Sequence, residues 1–417
     1  MSPCGFSPSR AAGLDRLARF LPLAGRQYTA RRNEDPGPGA HEFVSGLSPW
    51  LRHRQVTEVE VLRAVLTLHA PSSAGKFIQQ LFWRGYFKGY LEARPAIWRD
   101  WRRAVKQQFM ALGRNDPLAA AYGRAVAGRT GIDCFDAWIA ELKGTGYLHH
   151  HARLWFASIW IFTLQLPWQL GAEFTYRHFI DGDPASNTLS WRQVAGLHTP
   201  GKHFLARAAH IAQYSGGRFA PLGLAVKAAP LTESTSHPAT ALPLIATLPP
   251  PGKIGLLLTD EDLNPESLGF APGQVTGVAG ASCVATRSQL PVPPLVSHYA
   301  TQALEEALVR AAAAFEVPVE RLSSLEGDAI ADWAERLGVK TVVTACAPVG
   351  PVEEHLADAG DWLGMRKLKL VQLRRAYDGA VWPHATHGFS TVRDRIPGVI
   401  EQLDLKGGRP VQERLDL

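Results

Sequence analysis

The spacing of apolar residues changes character partway along the 417-residue chain, so no single-layer fold class accommodates both halves. From Ser48 to about Arg218, stretches such as EVEVLRAVL, KFIQQLFWRGYFKGYL and DAWIAEL place apolar residues three and four positions apart, the period of one helix face. Gly- and Pro-rich punctuation, NEDPGPGAH and GRTG, separates them. After a Pro-, Ala- and Thr-rich stretch over 221–252 the pattern switches. IGLLLTD and KTVVTAC are short aliphatic runs of the kind buried in parallel sheets, and QVTGVAGA is a Gly-diluted third. Helical patterns, YATQALEEALVRAAAAF and AIADWAERLG, run between them. The sequence therefore predicts an α + α/β molecule: a helical domain over 1–220, a linker over 221–252, and a Rossmann-like parallel α/β domain over 253–417.

Composition adds a second asymmetry. Hydrophobic content of 46% and charged content of 20% exclude a disordered chain. Residues 1–220 carry a net +12 and residues 221–417 a net −6, so a polyanion such as DNA would face the first half. An ordinary solvated surface is the plainer explanation of the same numbers. The cysteines, Cys4, Cys134, Cys283 and Cys346, are scattered without a C-x-x-C pair. That pattern argues against a disulfide framework or thiolate metal site and fits the cytoplasm. No signal peptide is expected at the N-terminus. Leu154 to Ala172 lacks charged side chains but contains Ser158, Gln165, Pro167 and Gln169, and it reads as a helix buried in protein rather than a membrane span.

Four stretches carry chemistry. In SGLSPWLR, Ser45 and Ser48 flank a Gly-Leu and can present hydroxyls to phosphate, although a plain helix-capping serine reads the same way. In QLFWRGYF, Trp83 could be simple core, but Arg84 on an otherwise apolar helix requires an anion. In GTGYLHHHARLWF, three successive histidines point about 100° apart on a helix and cannot converge on one ion, so no metal site is expected. His150 and Arg153 share a face, and Arg153 needs a carboxylate. FIDGDPASNTLSW, Phe179 to Trp191, supplies Asp181 and Asp183 as the natural partners.

With RQYTARRN, LSPWLR, GRTGIDCFDAWIAELKGTGYLHHHAR and LPWQLGAEFTYRHFIDGDPASNTLSW in this order and spacing, the chain resembles the FAD-binding helical domain of DNA photolyases and cryptochromes over about Gln27 to Phe204. The resemblance implies FAD as cofactor. Tyr28, Ser45, Gly46, Leu47 and Ser48 fall where the family grips the pyrophosphate, and Arg84 on a second phosphate-side contact. Arg153 and Asp181 fall on the ion pair against the isoalloxazine, Asp183 on its polar edge, and Asn187 opposite flavin N5. Gln80 and His150 fall beside the same ring. Trp191 and Trp168 take the first two places of the family's electron-transfer chain. The third place lands near Asn115, where Tyr122 or Trp101 are the alternatives.

The resemblance weakens on the lesion side. Gln80 replaces the glutamate that hydrogen-bonds a cyclobutane dimer, Gln193 replaces a stacking tryptophan, and Trp83, the other stacking residue, is kept. His150 stands where dimer photolyases carry Asn. The six-four enzymes place a second histidine four residues on, where this chain has Leu154, and the cysteines of the iron–sulfur branch are missing. The family's α/β antenna domain normally precedes the helical one. Here LLLTDEDLNPESLGF and the helix–strand–helix AIADWAERLGVKTVVTACAPVGPVEEHLADA resemble that domain placed last, a circular permutation; an unrelated flavodoxin-like domain is the alternative.

Three readings follow. The first is a cryptochrome-like flavoprotein in which blue light moves electrons through Trp191 and Trp168, with Asn187 and His150 tuning the flavin and a signalling protein as partner. The second is a light-dependent DNA photolyase of altered lesion pocket, using Trp83 and Gln80. The third is an interaction protein on a relic fold. No antenna chromophore is assigned by any motif.

Overall fold

Pro71–Glu92 (α1) is a long helix buried on most of its faces, and the helical half is assembled around it. Phe77, Ile78, Leu81, Phe82, Tyr86 and Leu91 share one core cluster, as a helix enclosed by others requires. Pro95–Leu112 (α2) and Pro184–Ala195 (α6) pack on it, and the same half contains Asp116–Ala127 (α3), His150–Ser158 (α4) and Trp168–His178 (α5). The computed structural model describes residues 5–405; Cys4 and the outermost ends of the chain lie outside that range.

Leu154 to Ala172 is not one continuous helix. α4 passes into a π-helical turn, Ile159–Thr163, and the chain then breaks at Gln165, whose φ is +52°. Pro167 lacks an N–H and disfavours a helical Leu166, so α5 restarts only at Trp168. Phe156, Ile159, Trp160 and Ile161 are buried in the helical core. Among the described residues no helix is long and apolar enough to cross a membrane.

The second half carries a parallel sheet of Ile254–Leu258 (β1), Val275–Gly280 (β2), Val319–Arg321 (β3), Thr341–Ala345 (β4) and Lys369–Leu373 (β5), ordered β3-β2-β1-β4-β5. Leu256 of the central β1 lies opposite Val278 of β2 and Val343 of β4. Alternation sorts the two faces. Leu256 and Leu258 pack under Pro294–Phe315 (α7) against Tyr299, Leu304 and Leu308. Leu257 packs on the other face with Trp333 of Gly327–Leu337 (α8) and Leu356 of Pro351–Met365 (α9). A Cβ on Gly255 would stand 2.6 Å from Trp333, so this glycine lets α8 approach the sheet.

The chain then returns to the helical half. Ala376–Val381 (α10), the short turn Trp382–His384 and Phe389–Gln402 (α11) contribute Tyr377, Val381, Trp382, Val392 and Ile396 to the core around α1. The Tyr377 hydroxyl donates to the Leu81 carbonyl at 3.1 Å.

Candidate functional site

The helical half encloses a cavity of about 510 Å³, within the range of small-molecule and cofactor sites. Tyr28 and the loop Ser45, Gly46, Leu47 and Ser48 line it from one side; α1 supplies Gln80, Trp83 and Arg84. α4 contributes His150, Arg153 and Leu154. The turn before α6 brings Asp181 and Asp183, and α6 itself Asn187, Trp191 and Gln193. Every residue that the sequence assigned to the cofactor therefore meets at this one cavity. Trp168 does not. It lines a second cavity, of about 1170 Å³, together with Trp101. Asn115 instead caps α3, accepting from the Leu118 N–H at 3.0 Å.

The loop at Ser45 is shaped by Gly46, whose φ of +60° favours glycine. Arg16 holds it: Nε donates to Ser45 O at 2.6 Å, and Nη2 to Val44 O at 2.9 Å and His41 O at 3.0 Å. With these carbonyls committed to Arg16, the loop is left with its hydroxyls for an anion in the cavity.

The two aspartates differ. Arg153 Nη2 donates to Asp181 Oδ2 at 2.8 Å while its Nε donates to Leu148 O at 2.9 Å. The guanidinium lies over the Phe179 ring at 3.9 Å. Asp181 Oδ1 is buried and has no hydrogen-bond partner among the described residues. Asp183 caps α6 through the Ser186 N–H at 2.8 Å and faces Lys88 Nζ at 3.2 Å and Arg84 Nη2 at 3.5 Å. Burial alone would raise this carboxyl, but Lys88, Arg84 and Arg52 outweigh it and hold Asp183 ionised, well below the usual carboxylate range.

Arg84 finds its anions within the protein, Glu58 at 3.4 Å and Asp183, and it also donates to Leu51 O at 3.0 Å. Behind this layer, Glu261 of the α/β half takes Arg52 at 2.7 Å and Lys88 at 3.4 Å. Arg16 lies outside the stretches that carry chemistry, and Arg52 at the end of SGLSPWLR, Lys88 just after QLFWRGYF and Glu261 within LLLTDEDLNPESLGF carried no readable role. The available signal was that Lys88 follows Arg84 by four residues and shares its helix face.

Asn187 is fixed on both sides. The Thr175 hydroxyl donates to its Oδ1 at 2.9 Å, and its Nδ2 donates to Ala172 O at 2.8 Å. Trp191 Nε1–H in turn donates to Thr175 Oγ1 at 2.9 Å. The Asn187 amide keeps one hydrogen and one oxygen lone pair for a ligand.

The histidines are held neutral. Burial first, then His41 and His151, lowers His149 to about 3, and burial followed by His149 and His151 holds His150 well below the ordinary imidazole value. Burial and then Arg32 lower His151 to about 4. The His150 and His151 rings are hydrogen-bonded at 3.1 Å. On the α1 wall of the cavity Trp83 stacks on Phe389 of α11, with centroids 3.9 Å apart and planes at 14°.

These donors and acceptors fit a flavin dinucleotide. Asp181 Oδ1 is an acceptor without a partner, suited to a ring N–H; Asn187 offers both polarities; and Ser45 and Ser48 offer hydroxyls. Comparison with known proteins finds similarities over the same part of the chain. Residues 77–216 match the FAD binding domain of DNA photolyase. Deoxyribodipyrimidine photo-lyase of Synechococcus sp. is 29% identical over 195 residues, 45% of this chain and 39% of its own length. Cryptochrome-1 of Arabidopsis thaliana is 33% identical over 96 residues, 23% of this chain and 14% of its own. A solved bacterial class III photolyase from Agrobacterium tumefaciens aligns over 50% of this chain and 43% of its own at 23% identity, with a TM-score of 0.41. The chain spans well under half the length of the curated photolyases it matches.

Proposed function

We propose that this member of the photolyase and cryptochrome family, whose helical half carries FAD, is a blue-light electron-transfer protein of the cryptochrome kind. Bound FAD supplies blue-light absorption and a one-electron couple. Arg153, Asp181 and Asn187 orient the ring system, and Ser45 and Ser48 bind the phosphate end. Trp191, at the cavity wall, is the residue oxidised first and Trp168 follows. The Trp191 N–H is bonded to the Thr175 hydroxyl rather than to a carboxylate, so no base stands ready to strip its proton. His150 remains neutral and adds no charge beside the ring. The α/β half, with β1 at its centre, is the permuted counterpart of the family's antenna domain, and the output is a redox or conformational signal to a protein partner.

The observation that carries this reading over repair is the cavity wall beside Trp83, built from Gln80, Gln193 and Leu154. A flipped dimer must be stacked and hydrogen-bonded inside such a pocket. An amide can donate a hydrogen bond but cannot share a proton with a developing anion as a carboxylic acid can, and Gln193 and Leu154 offer no aromatic face.

A DNA photolyase is the second reading, favoured by Trp83 and by the net +12 over residues 1–220. Illuminating the reduced protein with an oligonucleotide containing a cyclobutane dimer separates the two. We expect salt-sensitive, lesion-indifferent DNA binding and little or no dimer cleavage. Turnover comparable to an ordinary photolyase would make repair the function.

A further inference from the structure

Trp191 faces the cavity on one side and the helical core on the other. Its ring meets Trp160, on the π-helical turn, edge to face with centroids 6.2 Å apart. Trp160 meets Tyr122 of α3 in the same manner at 6.1 Å. Trp160 is fully buried, whereas Tyr122 is half-buried, so the file of rings runs from the cavity wall outward. The crossing of the two indoles depends on Gly171. A Cβ there would lie 2.3 Å from Trp191 and 2.9 Å from Trp160.

We propose that Trp160 and Tyr122 form a route by which electrons reach Trp191, with Tyr122 as the terminal donor. The inference rests on the reading above that Trp191 is the residue oxidised when the FAD-loaded protein is illuminated. One electron passes from Trp160 to oxidised Trp191, and one from Tyr122 to Trp160, so both indoles are restored. The Trp160 N–H is bonded to the neutral Pro167 carbonyl at 3.0 Å, which keeps its proton in place while it relays. Tyr122 cannot remain a cation after giving up an electron, and its phenolic proton must leave. Tyr122 is half-buried, so the proton passes to solvent water. The products are a neutral Tyr122 radical, a hydrated proton, and one electron delivered to FAD.

Electron paramagnetic resonance on frozen, illuminated, FAD-loaded full-length protein tests this, with FAD content and melting temperature measured alongside. Wild type should give a neutral tyrosyl signal. Tyr122→Phe, a mild change at a half-buried position, should abolish it, as should Trp160→Phe, while Trp168→Phe should leave it. A wild type showing only a tryptophan radical, or a tyrosyl signal that survives in Tyr122→Phe, would overturn the route. Trp191→Phe distinguishes the two levels. Loss of all protein radicals there upholds the underlying reading whatever the other variants show, and a wild-type radical yield there overturns both.

Discussion

The two halves of the molecule treat buried polarity in opposite ways. Around β1 the sheet is filled by Leu256, Leu257, Leu258, Leu304, Leu308 and Trp333, and the packing is apolar on both faces. The helical half buries charge instead. Asp181 and Asp183 sit at its cavity, and Arg52, Arg54, Glu58 and Lys88 lie fully buried behind them. The seam between the halves has the character of the cavity rather than of the sheet. Glu261, on the turn after β1, pairs with Arg52 and Lys88, and Asp378 of α10 pairs with Arg54 at 2.6 Å. Such groups are retained only where each has partners, since a lone buried charge is costly. The α/β half therefore backs the cavity from behind its lining: Glu261 pairs with Arg52 and Lys88, two of the cations that hold Asp183 ionised.

The sharpest way to break this comparison is Glu261→Ala. It leaves Arg52 and Lys88 without their shared partner and should cost on the order of 4 kcal/mol in denaturant unfolding, with loss of bound FAD. Unchanged stability would mean that the seam is ordinary surface. Leu304→Ala, inside the sheet half, should cost about 3 kcal/mol through the cavity it creates. FAD content at a temperature where the variant is folded should nevertheless be unchanged, because nothing polar depends on Leu304. Asp181→Ala acts inside the cavity. Arg153 keeps some solvent contact, its side chain being 29% exposed, so the cost should be smaller, about 2 kcal/mol, but FAD should be lost.

Acid provides a gentler probe. Folded His151 has its value lowered to about 4, by burial first and then Arg32, while the unfolded chain takes up a proton near pH 6.5. Below that pH the unfolded state binds the extra proton, so stability present above pH 6.5 is lost as pH falls toward the folded value. Between pH 6.5 and 5.5 this amounts to about 1 kcal/mol for one imidazole. His151→Gln should flatten the decline by that amount. Glu92, pushed up to about 7 by burial, works in the opposite sense and is untouched by the substitution. An unaltered pH slope in His151→Gln would mean that His151 is solvated.

The same contrast explains what could be read from the sequence. IGLLL and TVVTA announce β1 and β4 because central strands buried on both faces are continuous aliphatic runs. β3, Val319–Arg321, is three exposed residues at the sheet edge, and β5, Lys369–Leu373, is only partly buried, so neither carries that signature. The periodicity over α10 and α11 reveals an apolar face without revealing which surface it covers. Arg153 was legible as a cation needing a carboxylate, with Asp181 and Asp183 as the alternatives, and the resemblance singled out Asp181, which the structure pairs with it at 2.8 Å. Glu261 and Lys88 were not, because their partnership spans 173 residues of separation. Trp160 is hidden for the opposite reason: inside an apolar run nothing marks one aromatic as different from its neighbours.

The account depends most on light-driven electron flow through Trp191 into FAD. An absorption spectrum of the purified protein, recorded before and after blue light in the presence of a reductant, tests it directly. The wild type should show a flavin spectrum that bleaches under illumination, and Trp191→Phe should retain the flavin spectrum but bleach far more slowly. A protein that purifies without flavin, or equal bleaching rates in wild type and Trp191→Phe, would contradict the account.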